Sequence, residues 1–284
     1  MAESDMTRRT LRRLGANPVL AIAGAVIVCL VAAALLAPLL APFDPNAMRV
    51  GPRLSPPGGP HLFGTDELGR DLFSRVLYGA RLTLWVGAVA VGIGLLVGVM
   101  TGLVAGYVTG LVRSVLMRGI DVLYAFPDTL IALALLAFLG PSLTNAMIAI
   151  GISVIPYYAR VTYSVVLVER AKPYVDACAM VGAGGARVLF RHILPNCFAP
   201  LIVVASLGFS SAVLSAAGLS FLGLGAQPPA PEWGAILANG RNYITRAPWI
   251  LIFPGLAITF TVLAFNIAGD GLRRSLDPRQ RKVT

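Results

Sequence analysis

"YVDACAMVGAGGARVLFRHILPN", residues 174–196, is a polar stretch between two long apolar runs. It is too polar to cross a bilayer and too short to enclose a core. Lys172-Pro173 marks a helix start, because proline suits a first turn in which its missing N–H has no partner to lose. The spacing predicts a short helix over 174–181, with Asp176 in its first turns, where a carboxylate meets the positive end of the helix dipole. Gly182, Gly184 and Gly185 end that helix. A second short helix is expected over 186–194, basic through Arg187, Arg191 and His192, with Pro195 as its stop. Tyr174 opens the knuckle, and the small Ala177, Ala179 and Gly182 would let a partner's groove close on it. The same residues suit an amphipathic connector lying on lipid headgroups, and local chemistry leaves both readings open.

The flanks settle the class. Of 284 residues 57% are hydrophobic and 13% charged, with a mean hydropathy of +0.78. A soluble chain carries about 25% charge, so the sequence reads as a membrane protein. Its net charge of +10 then belongs to loops facing one side, not to nucleic-acid binding. A crossing helix takes about 20 apolar residues. Six candidate spans follow, at 19–41, 82–108, 120–139, 143–166, 200–224 and 249–267. The first is long for a signal peptide and runs on into "LLAPLLAPFDP" without a small-residue cleavage site. Even parity puts both termini on one side. With the N-terminus inside, 16 Lys and Arg fall in inside segments and 6 in outside segments, which makes both termini and the knuckle cytoplasmic. The three cysteines have no metal-ligand spacing and are expected as free thiols.

These spans divide the chain. Residues 1–41 are a cytoplasmic tail and anchor helix. Residues 42–80 begin with the Pro/Gly-rich "PFDPNAMRVGPRLSPPGGP", an extended linker without a core. "GTDELGRDLFSRVLYGAR" then reads as an amphipathic helix with i,i+4 pairs, Asp66 with Arg70 and Asp71 with Arg75. Residues 81–272 hold five spans and the loop at 167–196, and 273–284 form a cytoplasmic tail. Trp233, Tyr243 and Trp249 suit the membrane boundary, and the piece at 232–240 would dip into the bundle mouth.

Two patterns lie inside the spans. Gly94, Gly98, Gly102, Gly106 and Gly110 recur every four residues and form a bare ridge that admits a close helix neighbour. "GIGLLVG" is not a dinucleotide loop, since no strand precedes it. The intramembrane polar residues are few. Asp128 is the foremost pathway residue, with Asn145, Tyr157, Tyr158, Tyr163 and Asn266 as neutral candidates that could equally bond between helices. Asp121 is expected at the interface, paired with Arg118 or solvated, and Pro127 and Pro156 as kinks towards a cavity. No G-x-x-x-x-G-K-[ST] motif is present, and His61 and His192 lie on opposite sides, so no ATP hydrolysis or triad chemistry is expected in this chain. A secondary transporter or channel would show paired intramembrane charges and inverted repeats, and neither stands out.

"DACAMVG", followed by Leu194-Pro195 twelve and thirteen positions after Gly182, resembles the cytoplasmic coupling loop of ABC importer permeases. "GTDELGRDLFSRVLYGARLTLWVG" (64–87), "SFLGLGAQPPAPEWGAIL" (220–237) and "GDGLRRSLDPR" (269–279) are similar to the dipeptide, oligopeptide and nickel group, of the C-type subunit. The likeness covers nearly the whole chain. Asp176 departs from the usual Glu and Cys178 from the second Ala, and Gly184-Gly185 loosens the elbow. The resemblance implies an all-α, six-helix permease of type I importer architecture in a bacterial plasma membrane. It implies pairing with a homologous second permease, two ATPases that bind the ATP and Mg, and an extracytoplasmic binding protein. No cofactor is expected in this chain itself. The ATPase-coupling residues would be Pro173, Tyr174, Asp176, Ala177, Ala179, Gly182, Arg187, Arg191, Leu194 and Pro195. Di- or oligopeptides are the first-choice cargo, with nickel chelates and glutathione as alternatives within the same group.

Overall fold

The computed structural model describes residues 18–276. The basic tails that enter the charge bias, with Arg8, Arg9, Arg12, Arg13, Arg279, Arg281 and Lys282, lie outside them. The described residues are almost entirely helical, and their only β-type pairing is two isolated bridges. In chain order the helices are α1 (Pro18–Leu40), α2 (Leu72–Tyr107), α3 (Leu111–Tyr124), α4 (Asp128–Leu139), α5 (Leu143–Ser153) and α6 (Ile155–Arg170). They are followed by α7 (Pro173–Met180), α8 (Gly185–Phe221), α9 (Trp233–Gly240) and α10 (Trp249–Leu276).

Five stretches are long and apolar enough to cross a membrane: α1, α2, α5 with α6, α8 and α10. The expected third span is not one helix. It is a broken pair, α3 and α4, bent by 88° across a short break that ends at Pro127. Proline disfavours helical geometry in the residue before it, and here that produces a corner instead of a kink. The pair counts as the sixth span if taken together.

Pro195 does not stop a helix either. α8 runs through it, because the preceding turn, Val188–Ile193, widens to π geometry. A proline clashes with the carbonyl four residues back and cannot donate to it. The wider turn relieves both: Leu194 N–H reaches back to Leu189 O, and Asn196 Nδ2 donates to the His192 carbonyl at 2.7 Å.

α2 is the central element, touching α1, α5, α6, α8 and α10. Lipid tails are as apolar as leucine, so helix association in a bilayer rests on close packing. The glycine ridge supplies that packing, and its partner is α6 of the same chain. A Cβ at Gly98 would lie 2.8 Å from the Ile155 carbonyl, and one at Gly102 would lie 2.7 Å from Thr162 Cβ and overlap the Ala159 carbonyl. Gly94 faces Val154 and Tyr158, and Gly106 faces Val166. Gly110 is not part of the ridge. α2 ends at Tyr107, and Gly110 opens α3 with φ +76 and open space around it. On the other flank of α2, residues of α4, α5 and α8 close a core around Val86, Ala90, Leu136, Ile150 and Ala216.

The segment before α2 is not an uncored linker, and it is not helical up to Asp71. Residues 41–71 fold into a compact cap of turns that buries His61, Asp66, Arg70 and Asp71, while Asp44, Arg49 and Arg53 stay exposed. Asp71 caps α2 by accepting from Ser74 N–H at 2.8 Å and takes His61 Nδ1 at 2.9 Å. Asp66 pairs with Arg70 at 2.6 Å, as the spacing suggests, but inside a turn. Arg75 turns away from the expected Asp71 towards Asp66 at 3.5 Å, and donates to Pro45 O at 2.8 Å. α9 enters the bundle as expected, but Trp233 is core, not boundary: it is 1% exposed, with its indole N–H on Val76 O at 2.9 Å. Glu232 caps α9, accepting from Ala235 N–H at 3.0 Å, and burial pushes its carboxyl above the usual range.

Candidate functional site

Two features stand apart from the packed bundle: a groove between helices and the knuckle around α7. The groove has two lobes of about 420 and 450 Å³, within the ~300–1,000 Å³ of small-molecule sites. Tyr124, Asp128, Ser153, Pro156, Tyr157, Tyr158, Gly208 and Ser211 line the first lobe. Asp128, Thr129, Ile150, Ser153, Ser215 and Gly218 line much of the second. Asp128 and Ser153 belong to both. The corner between α3 and α4 sets Asp128 there, in the first turn of α4, where its carboxylate accepts from Thr129 N–H at 2.8 Å. Asp128 is exposed there, and a carboxylate at a helix N-terminus is favoured by about 0.3–1 kcal/mol.

The other pathway candidates divide. Tyr157 lines the groove. Tyr158 does too, but it is mainly a packing residue, fully buried against Gly94, Gly98 and Gly208. Asn145 is not in the groove. It closes the α4–α5 turn, donating to Leu139 O at 2.7 Å and Gly140 O at 3.0 Å. Asn266 lies half-buried on α10, outside both lobes. Tyr163 takes the Arg113 guanidinium on its hydroxyl and ring face. Asp121 pairs with Arg160 at 2.7 Å, not with Arg118, and Arg160 also stacks 4.6 Å from the Tyr124 ring centroid.

The knuckle is a rigid protrusion. α7 ends in paired reverse bonds, Ala183 N–H to Cys178 O and Gly182 N–H to Ala179 O, both 3.0 Å. This closure needs a left-handed residue, and Gly182 supplies it at φ +77. Val175 inserts into a cluster with Leu103, Val188, Leu189 and Ile193. Tyr174 faces inward, donating to Glu169 at 2.8 Å, and burial together with that carboxylate pushes its hydroxyl up to about 12. It is partly buried and anchors the knuckle. Leu194 is likewise partly buried. Pro173, Asp176, Ala177, Ala179, Gly182, Arg187, Arg191 and Pro195 are exposed. Among them stand Met180 and Val181, each 83% exposed.

Residues 98–282 match the family described as "Binding-protein-dependent transport system inner membrane component", and residues 6–57 match the "N-terminal TM domain of oligopeptide transport permease C". The chain belongs to this family of transport permeases. It is 50% identical over 255 residues to the dipeptide transport system permease DppC of Escherichia coli K12, covering 88% of this chain and 85% of that one. Identity is 48% over 256 residues to the di/tripeptide permease DppC of Pseudomonas aeruginosa, covering 88% and 84%. It is 44% over 275 residues to the dipeptide permease DppC of Alkalihalophilus pseudofirmus, covering 96% and 90%. A chain of the inward-facing MetNI methionine ABC transporter shares the fold, with TM-score 0.60 and 18% identity over 72% of this chain and 98% of that one. The architecture is therefore that of a type I ABC importer permease embedded in a membrane, a transport subunit and not a catalytic one.

In this permease the groove's serines are the lining residues that sequence reasoning misses. The available signal is on α8: Gly208, Ser211, Ser215, Gly218 and Leu222 follow one another at steps of three and four, which places them on one helix face.

Proposed function

We propose that this permease carries peptides, pairing with a homologous second permease so that the groove becomes one wall of the translocation pathway. The single observation that supports the peptide reading is the 44–50% identity, over most of the chain, to permeases named for dipeptides and tripeptides. ATP hydrolysis is assigned to two partner ATPases, which hold the ATP and Mg. They would seat the exposed face of α7 and push on the helices it joins, with Gly182 fixing the knuckle's shape. The Lys and Arg bias supports a bacterial plasma-membrane orientation with both termini and the knuckle on the cytoplasmic side. The cap then lies on the opposite side, where an extracytoplasmic binding protein would deliver cargo. No observation favours a nickel chelate or glutathione over a peptide.

Uptake by the complete reconstituted transporter, offered a panel of di-, tri- and longer peptides, nickel chelates and glutathione, tests this. ATP-dependent accumulation of short peptides is expected. Accumulation of a nickel chelate or of glutathione alone overturns the cargo assignment.

A further inference from the structure

We infer that Asp128 is the groove's recognition point for a primary ammonium group, so that the permease itself, beyond its binding protein, selects for the charge of the passing peptide. This rests on the peptide reading above. Asp128 is shared by both lobes and, with Ser153, stands where they meet. Among the described residues no cation pairs with it. Arg160, which stacks on the lobe-lining Tyr124 ring, is engaged with Asp121. No lysine or arginine lines either lobe. The remaining polar groups, Ser153, Ser211, Ser215 and Tyr157, are neutral and can serve a peptide's amides. They leave its carboxylate without a charged partner in this wall. A groove with one anion and no cation discriminates between the two ends of a peptide. An ammonium group gains a charge-assisted hydrogen bond there, and the carboxylate end gains nothing comparable. The ammonium could be the peptide's N-terminus or a lysine side chain, and both present the same chemistry to Asp128.

Asp128→Asn and Asp128→Ser remove the charge, and Asp128→Glu retains it. Serine keeps an acceptor for Thr129 N–H, so it stands in should the asparagine variant fail to assemble. Each is reconstituted with the full transporter, and initial uptake is measured for Ala-Ala, Lys-Ala and N-acetyl-Lys-Ala. The binding protein is the same throughout, so a change between wild type and variant reports the permease alone. The neutral variants should lose about tenfold in uptake of amine-bearing peptides, the scale of one charge-assisted bond, with Asp128→Glu largely restored. A fall confined to the two lysine peptides identifies the side-chain ammonium. A fall in Ala-Ala and Lys-Ala that spares N-acetyl-Lys-Ala identifies the N-terminus. Unchanged uptake in the neutral variants, or a loss that Asp128→Glu does not relieve, overturns the inference. A wild-type transporter that accumulates no peptide at all overturns the cargo reading instead.

Discussion

The cap at 41–71 and the knuckle around α7 are both polar segments joining long apolar helices, and they fold in opposite senses. The cap turns one cluster of polar and charged side chains inward: His61, Asp66, Arg70 and Asp71 are 5% exposed or less, each held by a partner within 3 Å. The knuckle turns apolar side chains outward and keeps Asp176 at its surface. Buried charges cost solvation, which only good geometry offsets, so the cap's pairs report a fixed shape. Exposed apolar side chains on a rigid scaffold are contact area without a contact. A self-satisfied segment has a structural role, whereas one held open on a stiff frame is built to be covered.

The largest effect is expected in the cap. Asp66 accepts from Leu68 N–H and Arg70 N–H, each at 2.9 Å, as well as from the Arg70 side chain. Asp66→Ala would leave Arg70 buried beside Arg75 with Glu67, 3.0 Å from Arg70, as the remaining carboxylate, and breaking a buried pair in this way costs up to about 3–5 kcal/mol. Thermal unfolding of the purified transporter in detergent should show a clearly lowered midpoint. An unchanged midpoint would mean that the cap's charges do not hold its shape, and the contrast with the knuckle would break.

Gly182→Ala should do less to the fold. Nothing lies within 4 Å of the added methyl, so the cost is the left-handed backbone alone, about 1–2 kcal/mol. That cost is confined to α7. The unfolding midpoint of the bundle should hardly move, while co-purification of the ATPases falls. A midpoint drop as large as that of Asp66→Ala would show the knuckle to be part of the structural core.

The same contrast explains what could be read from the sequence. The knuckle is legible because its chemistry is local: a proline at the start, a glycine at the left-handed end, and small residues between. The glycine ridge is legible as far as Gly106 for a similar reason, but its repeat could not show that α2 stops at Tyr107. The cap is opaque because its logic is tertiary. Asp66 and Arg70 have the spacing of a helix pair, and the contacts that make the segment a fold are distant in sequence, such as Pro45 and Pro229 on Arg75 and His61 on Asp71. Pro127 and Pro195 were both visible as breakers. Which one becomes a corner and which is absorbed by a wide turn depends on whether neighbours hold the helix in line. Ile193 and Cys197, on either side of Pro195, are fully buried, whereas every residue from Asp121 to Leu130 is exposed in the single chain.

The smallest effect on stability, and the sharpest on partners, belongs to Met180 and Val181. Both side chains stand almost wholly in solvent, so Met180→Ser with Val181→Ser should change folding stability by no more than about 0.5 kcal/mol. If an ATPase groove closes over them, each lost methylene removes roughly 0.8 kcal/mol of burial on docking. The double variant should then release the ATPases on dilution at concentrations where the wild type retains them, and uptake should fall with them. If the face rests on headgroups, ATPase retention would stay normal and only affinity for lipid would change. Flotation of the permease pair with anionic vesicles, alongside ATPase co-purification, separates these outcomes. Normal retention of the ATPases by the double variant would remove the outward apolar face from the coupling interface and leave Asp176, Ala177 and Ala179 to carry it.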